Sequence, residues 1–119
     1  MKAGKDPFAG RTGDIKRHYL LEAAKEIMPY RTYIPSTYTG AKALPLIVAV
    51  HRLGGTEDGF FDNYNQTLPA LVERHGYILA TALGYRVDGS YGWGLGPPPA
   101  DPNVRRTQDF SEQDVMQVL

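Results

Sequence analysis

The sequence of 119 residues contains no cysteine, and this absence removes several kinds of chemistry at once. Without thiols there is no disulfide, no thiolate zinc ligand and no cysteine nucleophile. An excess of charge of one sign is also missing, since 13 Lys and Arg residues balance 13 Asp and Glu residues. A balanced chain lacks the strong one-signed field that attracts nucleic acid or anionic membranes. We therefore expect no nucleic-acid partner.

Long hydrophobic runs are missing too. The longest one covers residues 44–50, whereas a helix needs about 20 apolar residues to cross a bilayer. The N-terminal residues include basic side chains but no apolar core of a secretory signal. We therefore expect a soluble chain without a membrane span, and the sequence leaves its localisation open.

The common motifs for cofactors and metals do not occur either. The sequence has neither the G-x-x-x-x-G-K-[ST] phosphate loop nor the G-x-G-x-x-G dinucleotide fingerprint. His18 and His75 have no second ligand at helical spacing, so nothing favours a zinc site. We expect no cofactor and no metal.

Glycine, proline and tyrosine are frequent instead, with 13, 9 and 8 copies, and they concentrate between short periodic segments. This distribution is typical of an α/β protein whose loops build a site. Residues 1–15 are polar and show no periodicity, so we predict a flexible N-terminal lead there and a domain over residues 16–119. From Lys16, alternating residues predict a strand, a turn near Lys25 and Glu26, and a second strand ending at Ile34. Together they predict an antiparallel hairpin.

The apolar run over residues 44–50 predicts a buried central strand, because it is hydrophobic on both faces. Apolar residues at helical spacing follow over 60–75 and end at Gly76, with a break predicted near Gln66 and Thr67 because of Pro69. Residues 77–83 predict a second buried strand. This strand, helix, strand unit favours parallel strands with helical crossovers.

The last third of the chain begins with a long Gly/Pro/Tyr loop over residues 84–103, a length typical of a functional loop. Ser111 and Asp114 then match an S-x-x-D capping box, which predicts a helix that begins at Ser111. No glycine or polar tail follows this helix before Leu119, so we expect the element to continue beyond the sequence.

The most informative segment is the turn His51-Arg52-Leu53-Gly54-Gly55 after the apolar strand. Glycines at the carboxyl end of a strand let backbone N–H groups turn toward a ligand, and ligands of open α/β sheets bind at that end. The alternative is an ordinary solvated loop.

Here the chain resembles the α/β-hydrolase superfamily of serine esterases, related to polyhydroxybutyrate depolymerases and feruloyl esterases. The resemblance covers MPYRTYIPSTY, LPLIVAVHRLGG, YILATALGYRVDGSYGWG and SEQDVMQVL. It implies an α/β fold: the N-terminal half of an α/β-hydrolase-type, mostly parallel, doubly wound sheet with a leading antiparallel hairpin. It also implies an oxyanion turn at residues 51–55, where His51 shapes the turn and Leu53 supplies a donor amide. Arg52 replaces a glycine of the family's turn and is expected to crowd it.

The family's nucleophile lies in a G-x-S-x-G elbow after the helix predicted at Ser111, with an acid and a histidine later still. None of these three lies within this chain, so the resemblance implies a partial domain, truncated before the elbow and inactive alone. Ser90 in DGSYG is the nearest imitation. No helical pattern follows it, and no histidine is placed to activate it.

The loop aromatics Tyr85, Tyr91 and Trp93 are candidates for lining a substrate pocket, and packing of the loop onto the sheet is the alternative. Glu57, Asp58 and Asp62 lie at a predicted helix start, where acidic side chains are favourable, so we do not expect them to be catalytic.

Three functions remain. The first is the N-terminal segment of a serine carboxylic-ester hydrolase acting on a small-molecule or polymer ester. The second is a truncated, non-catalytic binding or interaction module, whose exposed half-sheet self-associates or seeks a partner. The third is a peptidase or lactone hydrolase of the same fold, because fold does not select the scissile bond.

Overall fold

A computed structural model describes residues 8–88, 91 and 96–119. None of the helices in these ranges has the length and apolar character needed to cross a bilayer. The elements in chain order are β1 (Gly13–Leu21), β2 (Glu26–Ile34), β3 (Leu46–Ala49), α1 (Gly59–Asp62), a short 3-10 turn (Tyr64–Gln66), α2 (Thr67–His75), β4 (Ile78–Ala82) and α3 (Pro102–Val118).

The four strands form one mixed sheet in the order β1-β2-β4-β3. β1 and β2 pair antiparallel, with Gly13 opposite Ile34 and Leu21 opposite Glu26. β2 also pairs antiparallel with β4, whereas β3 and β4 are parallel. The parallel pair is connected through α1 and α2, as the strand, helix, strand pattern predicts. The expected α/β fold is confirmed.

Helices pack against both faces of the sheet. On one face Met28 belongs to a core cluster with Leu21 and Tyr85, and Phe110 of α3 packs against this cluster. Tyr33 packs against the other cluster, which contains Val72 of α2. Met28 and Tyr33 are separated by an odd number of positions in β2, so their side chains point to opposite faces. α3 therefore covers one face, and α1 and α2 cover the other.

β1 begins at Gly13, inside the segment predicted as a lead. Ile15 is buried, while Asp14 and Lys16 on the opposite face are exposed. Those two polar side chains pair with Arg31 and with Glu57 and Asp58, respectively. The polar residues near the start of the chain are therefore part of a strand whose exposed face forms ion pairs. The periodicity of the sequence does not show these ion pairs.

β3 is a strand, as predicted, but among the described residues it lies at an edge of the sheet rather than at its centre. Its residues Ile47 and Ala49 pack onto the α2 side of the sheet. Leu46 and Val48 on the other face are 46% and 37% exposed, because no described element covers them. An apolar run that could be buried on both faces is therefore buried on only one.

The crossover between β3 and β4 breaks where the sequence predicts. The 3-10 turn ends at Gln66 and α2 begins at Thr67, which leaves Pro69 in the first turn of the helix. Gly76 ends α2 with a φ of 71°, in the left-handed region that favours glycine. The amide of Tyr77 donates to the carbonyl of Val72 at 3.0 Å. The predicted helix break and the glycine cap are confirmed.

α3 begins at Pro102, so the prediction of a helix start at Ser111 is wrong. Asp101 is the N-cap, and its side chain accepts a hydrogen bond from the amide of Asn103 at 2.8 Å. Pro102 then occupies the first turn, where its missing N–H costs nothing. Ser111 and Asp114 lie in mid-helix and are fully buried. Their spacing places them on one helix face, which packs on the sheet.

Candidate functional site

The turn over residues 51–55 follows β3, and two of its amides are bonded to backbone carbonyls. Gly54, with a φ of 79°, donates its N–H to the carbonyl of Val87 at 2.7 Å. The amide of Gly55 donates to the carbonyl of Arg52 at 2.9 Å. These bonds hold the second half of the turn against the loop that follows β4.

The first half of the turn leaves two amides unused. Within the part of the chain that the structure describes, the N–H groups of Arg52 and Leu53 make no hydrogen bond. The side chains of both residues are exposed, and that of Leu53 is 75% exposed. Two adjacent backbone donors at the end of a strand are therefore available to an acceptor outside the turn.

Arg52 fits the turn without backbone strain. It is not among the residues with a positive φ, whereas Gly54 is. Glycine is also needed at position 55, where a Cβ would lie 2.8 Å from the Cβ of His51. The glycine that the family has at position 52 is thus not required by the backbone of this turn.

A cleft of about 210 Å³ lies beside the turn. Its opposite wall is formed by the start of α1 and the segment before α2, at Gly59, Phe60, Asn63 and Tyr64. This volume suffices for a small group of a substrate rather than for a whole drug-sized ligand. The cleft gives the two free amides a concave surrounding.

The wall that carries Tyr64 is strained. Tyr64, Asn65 and Gln66 have φ values of 56°, 53° and 56°, so three successive non-glycine residues are left-handed. Such conformations cost on the order of 1 kcal/mol or more each and concentrate at functional sites. Tyr64 is 73% exposed at the rim of the cleft. The residue types gave no reason to expect this turn, except that asparagine tolerates the left-handed region.

Gln66→Gly is expected to raise the free energy of unfolding by about 0.5–1 kcal/mol. Glycine adopts the left-handed conformation without strain, and the greater flexibility of glycine in the unfolded chain offsets part of this gain. Urea unfolding followed by circular dichroism measures the change. Asn63→Gly is the matched control, since Asn63 has an extended backbone with a φ of −92° and should lose stability. Equal effects at both positions would show that the turn is not strained.

An ion-pair network ties α1 to the sheet. The guanidinium of Arg31 on β2 bonds to Asp14 at 2.7 Å, Asp58 at 2.9 Å and Asp62 at 3.0 Å. Its Cζ lies 4.5 Å from the centre of the Phe61 ring. The acidic side chains therefore pair with a cation from the sheet, whereas the sequence predicted that the helix terminus stabilises them.

Lys16 of β1 extends the network. Its Nζ lies 2.8 Å from Glu57 and 2.6 Å from Asp58. Burial alone raises the pKa of Asp58, but the hydrogen bonds from Lys16 and Arg31 together outweigh burial and hold this pKa below its ordinary value. The hydroxyl of Thr81 also donates to the carbonyl of Glu57 at 2.8 Å. The segment between the turn and α1 is thus fixed to β1, β2 and β4.

Arg31→Met is expected to lower the free energy of unfolding by about 2–3 kcal/mol at neutral pH, because it leaves Asp14, Asp58 and Asp62 facing one another. A carboxyl group whose pKa is lower in the folded than in the unfolded state stabilises the fold at pH values above its unfolded-state pKa. This stabilisation is lost as the pH falls through the folded-state pKa. The difference should therefore shrink toward about pH 3. Denaturant titrations at several pH values measure it.

Lys25→Met is the control for that prediction. Lys25 pairs with Glu22, and the two side chains are 79% and 72% exposed. An exposed pair contributes about 0.5 kcal/mol or less. A pH-independent loss in the Arg31 variant, or a loss no larger than in the Lys25 variant, would contradict the role of the network.

Of the three loop aromatics, the structure brings Tyr91 to the turn. Its ring meets the ring of His51 edge to face, with centroids 5.7 Å apart. The phenol is partly enclosed, and burial raises the pKa of Tyr91 to about 12. Tyr91 therefore supports the first residue of the turn as a neutral phenol. Trp93 and Ser90 lie outside the described residues.

Tyr85, another candidate for lining a substrate pocket, lies in the core rather than at the turn. Its side chain is 7% exposed and belongs to the core on the α3 face of the sheet. The ring packs edge to face on Phe110 with centroids 5.0 Å apart, and the hydroxyl donates to Glu26 at 3.1 Å. The alternative interpretation, packing of the loop onto the sheet, describes Tyr85 correctly.

Asp114 is the important residue that the sequence pattern misassigned. Its Oδ2 accepts hydrogen bonds from the amides of Gly84 at 2.6 Å and Tyr85 at 3.2 Å, and the hydroxyl of Tyr19 donates to Oδ1. Gly84 and Tyr85 have φ values of 70° and 65°. Successive backbone N–H groups of a turn can form a nest that binds one anion, and here both amides point at the same carboxylate oxygen. The carboxylate of α3 fills this nest at the end of β4.

Ser111 completes this docking contact. Its hydroxyl oxygen lies 2.6 Å from the carbonyl oxygen of Gly84 and 2.7 Å from that of Thr107. Both polar groups of Gly84 are therefore bonded to α3. The S-x-x-D pattern marks a polar helix face that binds a turn, not a helix start.

Comparisons with known proteins support the fold. The sequence matches no protein-family model and no curated protein. The CE1 ferulic acid esterase AmCE1/Fae1A from the anaerobic fungus Anaeromyces mucronatus, solved without substrate, is similar in structure, with a TM-score of 0.59, 16% identity, and coverage of 97% of this chain and 44% of that one. Its complex with ferulic acid gives a TM-score of 0.60, 17% identity, and coverage of 97% and 43%. A further ferulic acid esterase has a TM-score of 0.53 and 10% sequence identity, and the match covers 70% of this chain and 36% of that one.

The chain shares the fold of a part of these esterases. At such low identities the likeness concerns the fold alone, and the chain spans less than half the length of each of them. The resemblance inferred from the sequence is thereby confirmed at the level of fold.

Proposed function

We propose that this chain is the N-terminal portion of a serine carboxylic-ester hydrolase and that residues 51–55 form its oxyanion turn. The observation that carries the proposal is the pair of unused amides at Arg52 and Leu53, beside a cleft at the carboxyl end of β3. In acyl transfer the carbonyl oxygen of the ester becomes negatively charged, and preorganised N–H groups stabilise that charge. The amide of Leu53 is the donor that the family resemblance implies.

The chain contributes positioning rather than the complete chemistry. The nucleophilic serine, which forms the acyl-enzyme, and the acid and histidine that activate it would come from residues outside 1–119. Tyr91 and the cleft wall at Tyr64 would contact the substrate. The proposal therefore includes that these 119 residues do not hydrolyse esters alone.

The exposed side of β3 supports a larger sheet. Leu46, Val48 and Val50 are 46%, 37% and 43% exposed, which is unusual for such an apolar strand. Further parallel strands beside β3, with their helices, would bury these side chains. The four strands would then be the N-terminal half of a mostly parallel, doubly wound sheet, with the hairpin β1–β2 at its edge.

The identity of the substrate's acyl group is less constrained by the structure than the position of the oxyanion turn. Because the similar structures are ferulic acid esterases, we propose a small-molecule or polymer ester of a phenolic acid before the aliphatic polyester of polyhydroxybutyrate depolymerases. Peptide and lactone substrates use the same oxyanion chemistry. Turnover of methyl ferulate, a hydroxybutyrate oligomer, a lactone and a peptide by one preparation would rank these substrates.

Leu53→Pro tests the oxyanion turn in a polypeptide that extends this chain as the proposal requires, because proline removes the backbone N–H at that position. We expect kcat for methyl ferulate to fall by about 10²-fold or more with a small change in KM. Leu53→Ala keeps the N–H and should stay within a few-fold of the unaltered enzyme. Unchanged kcat in a correctly folded Leu53→Pro variant would exclude this amide as the donor.

A second candidate is a non-catalytic interaction module, which the exposed apolar edge of β3 favours. This module would self-associate through β3. Sedimentation of the 119-residue chain with and without Val48→Lys distinguishes the two candidates. Loss of association in the variant, together with no esterase activity in any longer polypeptide, would favour the module.

A further inference from the structure

The ring of His51 lies between two carbonyl oxygens. Its Nδ1 is 2.7 Å from the carbonyl oxygen of Arg52, and its Nε2 is 2.6 Å from that of Leu83. A carbonyl oxygen only accepts hydrogen bonds, and a neutral imidazole carries a single N–H. Both short contacts are hydrogen bonds only if both ring nitrogens are protonated. A neutral ring would place a lone pair against an oxygen at one of the two sites.

The residue is also buried, since His51 is 8% exposed. A buried cation needs a nearby opposite charge. Arg52 directs its side chain to solvent, and Tyr91, which lies against the ring, is a neutral phenol. The charge that balances His51 must therefore come from another element.

Asp114 is placed to supply that charge through one peptide group. The carbonyl of Leu83 faces His51, and the N–H of the same peptide unit, on Gly84, donates to Oδ2 of Asp114 at 2.6 Å. Asp114 is fully buried and has no cationic partner among the described residues. A cation at the carbonyl end and an anion at the N–H end polarise the peptide in the same direction and strengthen both hydrogen bonds.

We propose that His51 and Asp114 form a positioning pair, a doubly protonated imidazole and a carboxylate coupled through the Leu83–Gly84 peptide group. The pair joins three elements: the turn after β3, the end of β4, and α3. It fixes the first residue of the turn, so that the following amides keep one direction. The charge pair exists whether or not the chain belongs to an ester hydrolase, and its test is separate from that of the proposed function.

Nitrogen NMR of the chain labelled with ¹⁵N-histidine tests the charge. The sequence has three histidines, and the exposed rings of His18 and His75 provide reference signals in the same spectrum. We expect two protonated ring nitrogens for His51 near neutral pH. One protonated and one unprotonated nitrogen at His51 would overturn the proposal.

Asp114→Asn tests the coupling. It keeps the shape of the side chain and removes the charge, so His51 should change toward the spectrum of a neutral ring. Glu112→Gln, which removes an exposed charge from the same helix, should leave His51 unchanged. If Asp114 were only a structural acceptor, the His51 spectrum of its folded variant would also stay unchanged, and that result would contradict the coupling.

A measurement on the unaltered chain keeps the proposal testable if the Asp114 variant does not fold. The amide proton of Gly84 bonds to Asp114 at one end of the peptide that His51 contacts at the other. Its chemical shift should change in step with the His51 ring signals as the pH is raised. A Gly84 amide that is insensitive to His51 deprotonation would overturn the pair.

Discussion

Gly84→Ala is expected to lower the free energy of unfolding by about 2–4 kcal/mol, from left-handed strain together with overpacking. Gly84 has a φ of 70°, and a Cβ there would lie 2.6 Å from the ring of Tyr91. The ring is held against His51, so it has little freedom to move away. Urea unfolding measures the loss, and the His51 to Tyr91 contact should weaken in the same variant.

Gly40→Ala separates the two causes. Gly40 has a similar φ of 82°, but a Cβ there would meet no atom within 4 Å. We expect this control to lose only the backbone term, about 1 kcal/mol. If both variants lose the same stability, the close packing of Tyr91 on Gly84 is not a feature of the folded protein.

Asp114→Ala is expected to cause the largest loss, about 3–5 kcal/mol. The change leaves the amides of Gly84 and Tyr85 and the hydroxyl of Tyr19 without their acceptor, and buried donors without partners are costly. Burial, followed by the hydrogen bond to Asp114, raises the pKa of Tyr19, so this phenol stays protonated and donating. Denaturant unfolding followed by near-ultraviolet circular dichroism measures the loss.

Glu112→Ala and Tyr19→Phe are the controls for Asp114. The exposed Glu112 on the same helix should contribute within about 0.5 kcal/mol. Tyr19→Phe removes one donor of the network and should cost about 1–2 kcal/mol. An Asp114 variant as stable as the Glu112 variant would contradict the docking of α3 through this carboxylate.

The elements defined by local rules could be predicted from the sequence. Gly76 ends α2 because the chain needs a left-handed residue there, and Pro69 fits only in the first turn of a helix. The alternating residues of β1 and β2 and the apolar β3 and β4 likewise match their strands. In each of these cases the determining contact lies within a few residues.

The elements defined by distant contacts could not be predicted. Ser111 and Asp114 match a local capping pattern, but their partner Gly84 lies 27 and 30 residues away. The local start signal of α3 is Asp101 followed by Pro102, and it lies ten residues before Ser111. Burial of β3 depends on which elements flank it, and an apolar run does not contain that information.

The candidate site divides in the same way. A turn with exposed glycines after β3 follows from the sequence, and so does the position of Leu53 in it. The amide of Gly54 is occupied by the carbonyl of Val87, a distant residue that local patterns do not identify. The left-handed residues Tyr64 to Gln66 and the two carbonyl partners of His51 were likewise visible only in the structure.

Fluorophosphonate labelling of a polypeptide that extends this chain as the proposal requires, followed by mass spectrometric mapping, tests the account most directly. We expect a single label on a serine outside residues 1–119, in a G-x-S-x-G sequence, with loss of methyl ferulate hydrolysis after labelling. A label on Ser90, or neither label nor hydrolysis in a folded longer polypeptide, would contradict the assignment of residues 51–55 as an oxyanion turn.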